Sequence, residues 1–123
     1  MPENTWFVLC SGPSLTPEDL ARVRFERENG RCTVVATNST AFDAPWADYC
    51  FAMDRGWLKH YRGQCERHDW EVISSHKGAS QYGARYVQGT DGKNSGERAI
   101  QYAAQQGADP IIVLGFDCGI IDG

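Results

Sequence analysis

The run Trp6-Phe7-Val8-Leu9-Cys10 is almost wholly apolar and stops abruptly at Ser11-Gly12-Pro13-Ser14. A strand that is apolar on both faces must be covered on both faces, as a central strand of a parallel sheet is. Helix-start signals follow at once. Thr16-Pro17-Glu18-Asp19 supplies an N-cap residue, a proline for the first helical position and two acids for the positive end of the helix dipole. Strand, small-residue turn and helix, in that order, is where open α/β folds hold phosphates and nucleotides.

The remaining pattern extends this reading. The helix is expected over 17–28, with Leu20 and Val23 on its apolar face and Asn29-Gly30 ending it. Cys32 to Ala36 is a second short strand, rich in β-branched residues, that runs out at Thr37-Asn38-Ser39-Thr40. Two strands this close, joined through a helix, imply a parallel right-handed β-α-β unit, which brings Asn38 to the same carboxyl edge as Ser11 to Ser14. After a loop with Asp43, Pro45 and Trp46, a third strand is expected over 47–54, ending in Asp54, and a helix over 55–66 with Trp57, Leu58 and Tyr61 on one face. A fourth strand covers 71–75, and a short peripheral fifth covers 84–87, among glycine-marked loops. Asn94 or Ser95 opens a helix over 97–106 that Gly107 stops, and Ile111-Ile112-Val113-Leu114 is a buried strand leading into Gly115-Phe116-Asp117. The expected architecture is one domain over 1–123, a three-layer Rossmann-like α/β fold. Its central sheet is mostly parallel, with helices on both faces.

Bulk properties narrow the function classes. A formal charge of -4 provides no basic field for the backbone of a nucleic acid. No apolar run is long enough to span a bilayer, and the first residues lack the basic start and apolar core of a signal peptide, so the expected location is cytoplasmic, without a membrane partner. Five cysteines, Cys10, Cys32, Cys50, Cys65 and Cys118, form no C-x-x-C pair and read as small apolar residues rather than disulfides or a zinc site. His60, His68 and His76 are dispersed, with no metal-ligand spacing, so no metal site is expected. The four tryptophans read as packing residues, although Trp46 falls in a loop near the expected crevice.

The candidate polar groups all follow a predicted strand or open a predicted helix: Ser11, Ser14, Asn38, Asp54, Ser95 and Asp117. In a parallel sheet these positions gather at the carboxyl edge. Gly12 would let a ligand approach the backbone, whereas Pro13 has no N–H to donate, and neither the dinucleotide fingerprint nor the Walker lysine pattern is present. The turn is therefore also readable as a tight strand-to-helix corner. Asn94-Ser95-Gly96 offers a hydroxyl and free amides for a phosphate, or is a plain N-cap. Asp54 and Asp117 suit ribose hydroxyls or a divalent ion, or cap loops.

Two separated segments carry a resemblance. Leu9-Cys10-Ser11-Gly12-Pro13-Ser14-Leu15 resembles the G-P-S-L motif shared by the sialyltransferases of bacterial glycosyltransferase family 42 and the DUF115 or MptE-like proteins, many of them phage-encoded. Asn94-Ser95-Gly96 and Ile112-Val113-Leu114-Gly115-Phe116-Asp117 resemble their second signature, a small-residue helix start followed by a strand ending Gly-x-Asp. The resemblance implies a Rossmann-like domain that takes a nucleotide or nucleotide-sugar as substrate, a CMP-sugar or ATP, with Mg2+ admitted beside it and no dedicated cofactor. It implies that Gly12, Pro13 and Ser14 line the nucleotide pocket with Ser11, and that Asn38 hydrogen-bonds the nucleotide or donor. Ser95 and Gly96, beside Asn94, would meet phosphate, and Asp117 the ribose or base. Asp54 matches the strand-end acid of the MptE-like group. The sialyltransferases carry their general-base histidine and phosphate-facing tyrosines beyond the Gly-x-Asp strand, where this chain stops at Gly123. The expectation is therefore a shortened, phage-encoded member, or a chain whose missing parts come from another subunit. It would bind a nucleotide or nucleotide-sugar and, where activity is kept, transfer a group from it, the alternative being a non-catalytic phage assembly or interaction protein. Apolar residues near Phe116, Ile120 and Ile121 point to a homo-oligomer.

Overall fold

Trp6, Phe7, Val8 and Leu9 are all buried, because parallel strands lie against each of their flanks and helices against both of their faces. A computed structural model of the chain describes residues 2–116. Its elements are β1 (Trp6–Leu9), α1 (Pro17–Glu28), β2 (Thr33–Thr37), α2 (Thr40–Asp43), β3 (Tyr49–Phe51), α3 (Arg55–Cys65), β4 (Glu71–Ser74), β5 (Arg85–Tyr86), α4 (Ser95–Gln105) and β6 (Ile111–Leu114). A single 3₁₀ turn, Ala79–Tyr82, joins β4 to β5.

The six strands form one sheet in the order β5-β4-β3-β2-β1-β6, and every pairing is parallel. The expected three-layer α/β fold is the observed one, with the sheet parallel throughout. Side chains alternate between two cores. Trp6, Val8, Val35, Phe51 and Ile73 pack with Ala99, Tyr102 and Ala103 of α4 on one face. Phe7, Leu9, Val34, Ala36 and Cys50 pack with Val23 of α1 and Ala41 of α2 on the other. The chain steps outward from β1 to β5, then returns across the sheet through α4 to place β6 on the far side of β1. That reversal makes the carboxyl end between β1 and β6 the switch point of the topology, the place where open α/β sheets hold ligands.

Local chemistry explains the helix ends. Thr16 accepts from the Asp19 amide while Asp19 accepts from the Thr16 amide, both at 3.1 Å, a reciprocal capping box ahead of Pro17. Asp48 holds the entrance to β3: its carboxylate takes the Val34 amide at 2.8 Å and the Arg27 guanidinium at 3.0 Å, tying α1 to the sheet.

Three expectations are corrected. The third strand covers only Tyr49–Phe51, because Asp48 is engaged with Val34 and Arg27 while the Met53 amide leaves the ladder for the Ser95 hydroxyl. Residues 40–43, expected as loop, form α2, a single turn too short to show helical periodicity. The fifth strand shrinks to Arg85 and Tyr86. Trp6 and Trp70 are core residues as expected, whereas Trp46 lies beside Leu20 and Phe25 on the α1 side, away from the crevice. Cys10 and Cys50 are buried and Cys32 and Cys65 half-buried, while Cys118 lies outside the described residues.

Candidate functional site

Strands β1 and β6 continue to hold each other past their ends. The Cys10 N–H donates to the Leu114 carbonyl at 2.8 Å, and the Gly12 N–H to the Gly115 carbonyl at 2.7 Å. Gly115 has φ 75°, and a Cβ there would lie 2.3 Å from the Cys10 carbonyl oxygen, so only glycine permits this closure. On the other side, α4 comes down onto the same corner. A Cβ on Gly96 would meet the Phe116 ring at 2.9 Å and Cys10 Sγ at 3.0 Å.

These contacts leave a cavity of about 460 Å³ over the carboxyl edge of the sheet. Its walls are Cys10 to Pro13 after β1, Thr37 and Asn38 from β2, and Met53 and Asp54 between β3 and α3. Asn94 to Gly96 at the start of α4, with Gly115 and Phe116 after β6, complete them. The size is in the range of small-molecule and cofactor sites.

Asn38 is the most unusual of these residues. It has φ 48°, alone among the described non-glycine residues in the left-handed region, and its buried Oδ1 has no hydrogen-bond partner among the described residues. Its backbone is tightly held: the N–H donates to the Phe51 carbonyl at 2.9 Å, and the carbonyl accepts from the Ala41 N–H at 3.1 Å and the Cys50 thiol at 3.7 Å. Buried acceptors are nearly always paired, and sparsely populated backbone conformations concentrate at functional sites.

Ser95 Oγ accepts from the Met53 N–H at 3.2 Å, which ties α4 to the end of β3 and leaves the hydroxyl hydrogen for another acceptor. Asp54 is not the last residue of a strand. It is the N-cap of α3, exposed, with Oδ1 accepting from Gly56 N–H at 3.0 Å. Asn94 caps α4 through Oδ1 on the Glu97 N–H at 2.9 Å.

Of the sequence-nominated residues, Ser11, Gly12, Pro13, Asn38, Asp54, Asn94, Ser95 and Gly96 meet around the cavity. Ser14 lies in the same turn and does not line it, and Asp117 lies outside the described residues. Cys10, Thr37, Met53, Gly115 and Phe116 line it without having been nominated. Their signal was positional, since each sits within two residues of a strand end.

The cavity is short of cations. Among the described residues no Lys, Arg or His lines it, and Asp54 contributes a carboxylate. Arg98, the only cation of α4, is held at 2.6 Å by the Gly92 carbonyl and at 2.7 Å by Ser75 Oγ. The three histidines sit elsewhere: His60 edge-on to Tyr61, His68 stacked on Trp70, His76 beside Tyr82. Behind the wall, burial pushes the Cys50 thiol well above its ordinary range, which keeps it a neutral donor to Asn38. Among the described residues no three His, Cys, Asp or Glu side chains cluster as metal ligands, and no helix is long and apolar enough to cross a membrane.

Comparison of the chain with protein-family models, curated proteins and solved structures gives no match in any of the three.

Proposed function

We propose that this chain binds a nucleotide or nucleotide-sugar in the cavity at the carboxyl edge of its sheet, in the manner of the G-P-S-L glycosyltransferase and MptE-like proteins. The observation that carries the reading is Asn38: a left-handed, half-buried residue in a switch-point cavity, with a buried side-chain oxygen that lacks a partner among the described residues. A ribose hydroxyl or an exocyclic amino group is the donor that such an acceptor requires. The Ser95 hydroxyl in the same lining, and the apolar surfaces of Met53 and Phe116, suit the rest of a nucleoside.

Where catalysis is retained, the reaction class is transfer of a group from the nucleotide-activated donor. A second reading, binding without transfer, is favoured by the absence of histidine from the cavity lining among the described residues. A general base must lie within hydrogen-bond reach of the proton it removes.

Thermal unfolding with CMP, UDP, ATP and CMP-sialic acid, each with and without magnesium, tests the proposal. A ligand at 100 times its Kd stabilises by about 2.7 kcal/mol, which for a domain of this size raises Tm by on the order of 10 °C. No shift with any of the four at millimolar concentration would reject nucleotide binding and leave the fold to an assembly or interaction role.

A further inference from the structure

We infer that the outer face of α1 takes a second copy of this chain, in a two-fold pairing that seats Phe25 of each copy in a groove on the other. Phe25 is 56% exposed, more than any other large apolar residue among those described. Helix formation does not call for it, since phenylalanine is a weaker helix former than the lysine, arginine or glutamate usual on a solvent-facing stripe. Beside it, between α1 and the segment that follows α2, runs a groove of about 410 Å³. Leu20, Ala21 and Trp46 supply its apolar surface, and Leu20 and Trp46 also pack inward against the core of that face. Apolar projection and apolar recess lie side by side on one patch. An isologous interface requires this, because the same patch must serve on both copies.

The charges favour the same occupant. Arg24 and Glu28 stand one turn apart on the exposed stripe that carries Phe25, and their ion pair at 3.0 Å lies in solvent, where it contributes little. In an antiparallel crossing of two α1 helices centred between these residues, Arg24 of each copy meets Glu28 of the other. Asp43, also in the groove lining, is a second acid for the incoming Arg24. A partner of one charge sign would repel either Arg24 or Glu28, whereas a second copy satisfies both. None of these residues lines the cavity at the carboxyl edge, so the pairing leaves that cavity open and is independent of the nucleotide reading.

Sedimentation velocity on the full chain, from micromolar to millimolar concentration, tests this. One helix face with its groove is a small interface, so the chain passes from monomer to dimer with a Kd on the order of 10 μM. Phe25→Ser, at an exposed position outside the core, raises that Kd by on the order of tenfold or more. Arg24→Glu and Glu28→Arg each weaken the dimer, and the two variants mixed in equal amounts pair more tightly than either alone. Each variant has lost its internal Arg24–Glu28 pair, so the recovery reports a bond between copies. A chain that stays monomeric at millimolar concentration overturns the inference and leaves the groove to a different partner. A dimer that Phe25→Ser leaves unchanged overturns it by placing the contact on another face, and a mixture no tighter than its components rules out the two-fold crossing. A series of larger assemblies also overturns it, because a two-fold contact closes at two copies.

Discussion

Replacing Asn38 by glycine separates a structural asparagine from one held ready for a ligand. The backbone bonds of residue 38, to Phe51, Ala41 and Cys50, involve only its N–H and carbonyl, so glycine retains all of them. At φ 48° glycine relieves a left-handed conformation that costs other residues roughly 1–2 kcal/mol, and asparagine somewhat less. Removing a buried acceptor that has no partner among the described residues returns about 1–3 kcal/mol of desolvation penalty. Against this stand roughly 0.5–1 kcal/mol of extra glycine entropy in the unfolded chain and some lost packing of a half-buried side chain. The balance is a protein about 1 kcal/mol more stable without ligand, with Tm raised by roughly 3–5 °C. Nucleoside affinity falls in the same variant by about tenfold, the upper end for one neutral hydrogen bond. Urea unfolding followed by tryptophan fluorescence, with and without nucleoside, measures both effects. A variant less stable than the parent by 1 kcal/mol or more would refute the reasoning, since Asn38 would then be a satisfied structural residue.

Other consequences follow from the same contacts. Gly115→Ala costs roughly 3 kcal/mol or more, because strain and a 2.3 Å clash with the Cys10 carbonyl add. Gly30→Ala, at φ 71° with nothing within 4 Å, costs about 1 kcal/mol, and equal losses in urea melts would show that the β1–β6 closure is not tight. Ser95→Ala leaves the Met53 amide without its acceptor, so it lowers stability by about 1–2 kcal/mol as well as weakening nucleoside binding. Burial, then Asp48 and Glu26, raise the Cys32 thiol from its ordinary value near 9 to about 11. The unfolded chain therefore loses the proton first, and stability falls as pH rises from about 9 to 11. Cys32→Ser flattens that slope in urea melts at pH 8, 9, 10 and 11, and an unchanged slope contradicts the assignment.

The sheet was legible because its strands state their burial in composition. Trp6 to Cys10 and Ile111 to Leu114 are unbroken apolar runs, and parallel strands between helices have few other ways to bury them. The third strand was read too long because Ala47 to Asp54 stays mostly apolar past the point where Met53 leaves the ladder for Ser95, a contact 42 residues away in the chain. The helix α2 was missed because one turn, with no side-chain cap on Ser39, has no period to read. The candidate site emerged from one rule, that strand ends in a parallel sheet converge, and the rule brings eight of the nominated residues together. It does not say which way a turn faces, so it included Ser14 and left out Met53 and Phe116, whose position depends on how α4 closes over β6. For the Ser11 to Ser14 turn, sequence supplies the glycine, while geometry shows that the Gly12 amide donates to the Gly115 carbonyl.

Amide chemical-shift mapping of the uniformly labelled chain, titrated with the tightest-binding nucleoside, tests the central claim most directly. The predicted result is saturable shifts at Ser11, Gly12, Asn38, Asp54, Ser95 and Gly96, with the α1 groove around Phe25 and Trp46 unchanged. Shifts confined to that groove, or no saturable shift at the carboxyl edge, would contradict it.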